Sequence, residues 1–220
     1  LLPIQQQFFS LTPPGPSHWN QQLWLALDAR MERPALEATL QALYQQHDAL
    51  RLQFIREQNG WTQTCLPADA PSHELLWWRQ ADSEAVVAEL CEQTQQSLNI
   101  EAGELCRVLY VEMPQQSDRL LLVIHHLAMD GVSWRILLED LLNAYQQALA
   151  GQQISLPERT HNLTDWHQAL QQWLQEKGEQ RLPFWQGQQP QQQDDSLPTY
   201  GEKESAVLSL DKGDTRRLLQ

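Results

Sequence analysis

The chain has 220 residues, of which 41% are hydrophobic and 20% charged, enough apolar material for one large domain or two small ones with a buried core. Fifteen basic side chains against 28 acidic ones leave a net charge of -13, which excludes nucleic acid or an anionic membrane as the natural partner, since both demand clustered Lys and Arg. Three cysteines, Cys65, Cys91 and Cys106, without CxxC spacing, fit a reducing compartment such as the cytoplasm better than a disulfide framework.

Residues 1–20 hold Pro3-Ile4-Gln5, the pair Phe8-Phe9 and a proline-rich break, Pro13-Pro14-Gly15-Pro16. Gln21 to Asp28 alternates Leu23, Leu25 and Leu27 with Gln22, Trp24 and Ala26, which predicts a strand. Pro34 suits a first helical position, and Leu36, Leu40, Leu43, His47 and Leu50 then form a helical stripe on which His47 reads as a core histidine. Arg51–Arg56 and Gly60–Leu66 predict a hairpin about Gln58-Asn59-Gly60, and Leu75–Trp78 a short strand. Asp82 or Ser83 caps a predicted helix to Leu98, with Val87, Leu90, Cys91, Thr94 and Leu98 inward. Leu105–Glu112 and Arg119–His126 predict antiparallel neighbours. A helix follows from Trp134 to about Ala150, with Gly151 closing it. Asn162 or Thr164 opens another helix through Trp166, Ala169, Leu170, Trp173 and Leu174, and Pro183-Phe184-Trp185 adds a short helical turn. The polar run GQQPQQQDDS reads as a connector, with a strand predicted over Ser205–Leu210 and a helix from Thr215. Neither end has the character of a natural terminus. The first residues lack both a starting Met and a signal peptide, and the last stop inside the predicted helix.

The stretch Arg119–Leu142, RLLLVIHHLAMDGVSWRILLEDLL, carries the chemistry. Five apolar residues, Leu120 to Ile124, predict a buried strand, and His125, His126 and Asp130 lie where that strand gives way to the helix beginning near Trp134. If the strand runs through both histidines they point to opposite faces, one to a cleft and one inward. An imidazole titrates near neutral pH and can serve as a base. Asp130 could orient that imidazole, pair with a buried arginine or cap the helix; the last two are the more ordinary roles. No HExxH or Cys/His spacing points to a metal. No serine or cysteine lies in a nucleophile elbow, and no glycine-rich phosphate loop is present.

His125-His126-Leu127-Ala128-Met129-Asp130-Gly131 resembles the HHxxxDG motif of the condensation-domain superfamily of nonribosomal peptide synthetases. Asp130 to Leu141, DGVSWRILLEDL, is similar to the epimerization-domain version, where ordinary condensation domains read DGWS. Pro3-Ile4-Gln5 with Phe8-Phe9 resembles the epimerization PIQxWF motif, although Gln6-Gln7 shifts the aromatic register. His18-Trp19-Asn20-Gln21 and Leu156 to Thr160 also sit where such domains have related sequences.

The resemblance implies an α+β, two-layer sandwich of the chloramphenicol acetyltransferase type, a mixed and largely antiparallel sheet packed by helices. It implies an N-terminal lobe over 1–186, a connector over 187–204 and the start of a C-terminal lobe over 205–220. The implied activity is L/D interconversion at Cα of an aminoacyl or peptidyl thioester, with condensation as the alternative. The substrate would be carried on the 4'-phosphopantetheine of a peptidyl carrier protein, with no cofactor bound by the chain itself. The resemblance assigns His126 as the acid/base residue, with a glutamate of the C-terminal lobe opposite. It makes His125 and Gly131 supporting residues, Gly131 by permitting a tight turn, and places Ser133 and Trp134 on the tunnel side near the pantetheine arm. Asp130 becomes a strut held by Arg51, a buried pair costing on the order of 3–5 kcal/mol to break, so that Asp130→Ala is expected to harm folding more than chemistry. A lobe alone would be inactive, and bare apolar interface would drive self-association.

Overall fold

The computed structural model describes residues 1–11, 13–69, 74–158, 161–188 and 209–218, which fall into two compact units, Leu1–Arg181 and Leu182–Gln220. The first is built around a four-stranded sheet, β1 (Asn20–Ala26), β4 (Leu76–Gln80), β5 (Cys106–Glu112) and β6 (Arg119–His125), in the order β1-β6-β5-β4. β6 runs antiparallel to both neighbours, with Leu23 opposite Leu122 on one side and Val108 opposite Leu122 on the other; β4 and β5 are parallel. The apolar run of β6 has no polar phase because both its faces are covered. Leu120, Leu122 and Ile124 meet α2 (Arg33–Gln46) and α4 (Ser133–Leu149) through Leu36, Leu40, Leu43, Leu137 and Leu141. Leu121 and Val123 meet α3 (Glu84–Gln96) through Val87 and the partly buried Leu90 and Cys91. The mixed sheet packed by helices is the expected chloramphenicol acetyltransferase-type arrangement.

A separate hairpin, β2 (Leu52–Glu57) and β3 (Gly60–Cys65), turns at Gln58-Asn59 with Gly60 at φ +128°. It carries Leu52 and Phe54 into a third cluster with Phe8, Phe9, Ile100, Leu105 and Leu127. Phe8 and Phe9 come from α1 (Pro3–Ser10), a helix that the periodicity did not disclose. Its start is tied by the Leu2 N–H donating to Gln5 Oε1 at 2.7 Å, and Gln5 is buried. Gly151, at φ +65°, closes α4 as expected. Asn162 opens α5 (Leu163–Gly187) by a reciprocal bond pair with Asp165. The short helical turn expected at Pro183-Phe184-Trp185 is helical but not separate: α5 runs on through Pro183, and it buries no residue. α6 (Lys212–Leu218) ends the described chain, and the expected strand over Ser205–Leu210 lies outside the described residues up to 208. Among the described residues no helix is long and apolar enough to cross a membrane.

Candidate active site

The sheet ladder ends at His125, which faces Asn20 of β1, and the His126 N–H extends it one step by donating to the Trp19 carbonyl at 2.8 Å. The two histidines therefore part as alternation predicts. His125 is wholly buried. Its Nε2–H donates to the Pro16 carbonyl at 2.8 Å, and its Nδ1 accepts the Leu127 N–H at 3.1 Å, which fixes one neutral tautomer. Burial drives its pKa down to about 4, the Pro16 carbonyl opposing that shift. His125 is a neutral strut.

His126 is half-buried. Its Nδ1 lies 2.8 Å from the Met129 carbonyl, its Nε2 lies 3.2 Å from Gln21 Nε2, and its ring lies 4.5 Å from that of Trp19. Trp19 in turn stacks on Phe8 at 4.6 Å, so α1 braces the ring that braces the imidazole. Trp134, from the first turn of α4, donates its indole N–H to Gln21 Oε1 at 2.8 Å. Gln21, Trp134 and His126 thus form one hydrogen-bonded set drawn from β1, α4 and the turn after β6. Gln21, quoted from sequence only within His18-Trp19-Asn20-Gln21, was given no site role there. Its signal was a polar side chain in the same strand phase as Leu23 and Leu25.

Asp130 is exposed and serves as a cap. Its Oδ1 accepts from Ser133 Oγ at 2.7 Å, Ser133 N at 2.9 Å and Val132 N at 3.1 Å, and the Ser133 hydroxyl and N–H hold its pKa below the usual carboxylate value. The expected Asp130–Arg51 pair is therefore corrected. Arg51 is buried, and its guanidinium binds Asp48 in the 3₁₀ turn Asp48–Arg51, the Tyr44 carbonyl at 3.0 Å and the Leu66 carbonyl at 2.6 Å. An aspartate three residues away reaches the guanidinium at little entropic cost, while Asp130 finds donors within its own turn. The expected role of Gly131 is corrected as well: its φ lies outside the left-handed region and a Cβ there would meet nothing within 4 Å, so the turn does not require glycine. His47 is more than a core histidine, since its Nε2 lies 2.9 Å from Oδ2 of the buried Asp140.

Ser133 lines a cleft of 140 Å³ with His47, Ala49, Ala128, Met129 and Ile136, whereas Trp134 does not and reaches His126 through Gln21. A larger hollow of 440 Å³ shares His47 and is bounded further by Glu139, Asp140 and His161. Cys106 offers no nucleophile, because burial pushes its thiol up to about 12. Of the two adjacent histidines, His125 at the end of β6 and His126 just after it, only His126 keeps partial exposure.

The family model described as a condensation domain matches residues 1–219, and the chain belongs to this family, as its N-terminal lobe. Over 92% of its length it superposes on the epimerization domain from the third module of tyrocidine synthetase B, with a TM-score of 0.81 and 32% identity, covering 47% of that structure. It is 33% identical over 90% of its length to tyrocidine synthase 1 of Brevibacillus parabrevis, and 37% identical over 79% of its length to tyrocidine synthase 2 of the same organism. It spans 18% and 5% of those two proteins. A starter condensation domain of rhizomide synthetase, 19% identical with a TM-score of 0.67, shares the fold.

Proposed function

We propose that the chain is the histidine-bearing lobe of a nonribosomal peptide synthetase epimerization domain, acting on an aminoacyl or peptidyl thioester carried on the phosphopantetheine of a carrier protein. The supporting observation is the likeness, at 32% identity over 92% of the chain, to the tyrocidine synthetase epimerization domain. In the reaction the Cα–H bond breaks, its electron pair passes into the thioester carbonyl to give an enolate, and the proton goes to His126. Reprotonation on the opposite face restores the bond with inverted configuration. The resemblance assigns that step to a glutamate of the C-terminal lobe. His125, neutral and shut from water, keeps β6 and the Pro16 loop in place and takes no proton. Asp130 and Ser133 hold the start of α4, and with it Trp134, against Gln21.

The match to the family model supports a second reading, condensation, in which His126 positions an attacking amine and the product is a new amide. Supplying the complete domain with donor and acceptor carrier proteins separates the two. Epimerization returns the same aminoacyl group with mixed chirality on one carrier; a lengthened peptide on the acceptor carrier contradicts it.

A further inference from the structure

His126 stands opposite Trp19, one step past the Asn20–His125 pair of the β1–β6 ladder, with its N–H bonded to the Trp19 carbonyl. Trp19 and Gln21 are two residues apart on this strand, about 6.6 Å, which is room for one flat ring with a contact on each face. The imidazole takes that room. Its ring lies 4.5 Å from that of Trp19 with the planes 38° apart, and the Gln21 amide nitrogen, 3.2 and 3.5 Å from its two nitrogens, lies over it. The Met129 carbonyl can only accept, so Nδ1 carries hydrogen and Nε2 is bare. When Nε2 takes the α-proton the ring becomes an imidazolium, and its positive charge meets two walls. The Gln21 NH₂ presents hydrogens, because its oxygen accepts the Trp134 indole N–H at 2.8 Å, and it offers that charge nothing. The indole of Trp19 presents π electrons, and a cation within about 6 Å of such a face is attracted by the ring quadrupole, most strongly for tryptophan. Phe8 stacks on the same indole at 4.6 Å with the planes 7° apart, which holds it in place. The titratable groups that act on the imidazole are Asp130, in its own turn, and His125, which stays neutral. We propose that Trp19, locked by Phe8, is a positioning residue whose face stabilises the imidazolium that His126 becomes on accepting the α-proton. This inference rests on the reading of His126 as the acid/base residue and adds to it the group that supports its charge.

The test follows the ring-proton NMR signal of His126 through pH, the signal being identified by its loss in His126→Ala. Trp19→Leu keeps apolar cover over the imidazole without π electrons. Because Trp19 is 38% exposed, the attraction is that of a partly solvated pair, and this variant is expected to titrate about half a pH unit lower than the wild type. Trp19→Phe keeps a weaker π face and is expected to fall between the two, an order that a role in packing alone does not produce. The difference is expected to persist at about 1 M salt, which screens the exposed Asp130 but not a ring in contact. An unchanged midpoint in Trp19→Leu, equal lowering in both variants, or a difference that salt abolishes overturns the proposal. Should Trp19→Leu fail to fold, Trp19→Phe against the wild type decides, and an unchanged midpoint again overturns it. In the complete domain the limb of α-proton exchange that rises with pH is expected to move down by the same amount in Trp19→Leu, and a limb that stays in place counts against the proposal. Absence of exchange in the wild type would sink the epimerization reading alone, leaving the midpoints to decide the role of Trp19.

Discussion

At His125 the imidazole has given up water and spent both ring nitrogens on main-chain partners, so a proton added there loses the Leu127 bond and enters a dry site. Because the folded pKa, about 4, lies below the unfolded value near 6.5, the unfolded chain binds more protons between those limits. Stability from this site is therefore whole above about pH 6.5 and is lost as pH falls toward 4, by about 1.4 kcal/mol per pH unit. His125→Gln, which retains a donor toward Pro16, is expected to be less stable at neutral pH and to flatten that slope. Urea unfolding of both proteins across this range measures the difference, and parallel slopes would count against it. The reassignment of Asp130 and Arg51 also reverses an expectation of severity. Asp130→Ala removes an exposed cap and should cost about 1 kcal/mol. Arg51→Ala empties a buried site and takes the guanidinium from the Tyr44 and Leu66 carbonyls, and should cost about 3 kcal/mol or more. Thermal or urea unfolding ranks the two, and the opposite order would restore the Asp130–Arg51 pairing. That pairing was not legible because a motif records which residues recur together, not which of two nearby carboxylates an arginine reaches. Gln21 escaped for a related reason: a glutamine in an apolar strand phase is visible, but its partners come from α4 and from the turn after β6.

Strands and helices with a clear period were legible to within a few residues, although α2 stops at Gln46, short of the His47 and Leu50 of its expected stripe. β6 was read from five apolar residues in a row, α2 and α4 from their leucine stripes, and the β2–β3 hairpin from Asn59-Gly60. The failures have physical causes. α1 is eight residues long, too short to reveal a period or to be stable alone, and it exists because Phe8 and Phe9 dock into the cluster of Phe54, Ile100, Leu105 and Leu127. Phe8 also stacks on Trp19, which faces His126, so this helix connects packing to the site. Phe8→Ala is expected to cost about 3 kcal/mol and to increase protease cleavage ahead of β1. Wild-type resistance in the variant would mean that α1 is not what holds Trp19.

At the scale of the molecule, α5 leaves Trp166, Trp173 and Leu174 at 57%, 43% and 43% exposure, and the outer face of α4 leaves Ile136 and Leu142 at 56% and 55%. Apolar surface of this kind predicts concentration-dependent association of the chain. Sedimentation over a wide concentration range checks it, and a single monomer species at every concentration would speak against it. On the proposed reading His126 is one of two acid/base groups, and residues 1–220 alone are expected to leave chirality unchanged. Sheet, helix and aromatic brace all bear on His126, the group proposed to move the α-proton. The most direct measurement is deuterium wash-in at Cα of a carrier-bound aminoacyl thioester, with the complete domain in D₂O, wild type against His126→Ala. Exchange is expected in the wild type, with a loss on the order of a hundredfold or more in the variant. Undiminished exchange in His126→Ala would remove His126 from the reaction.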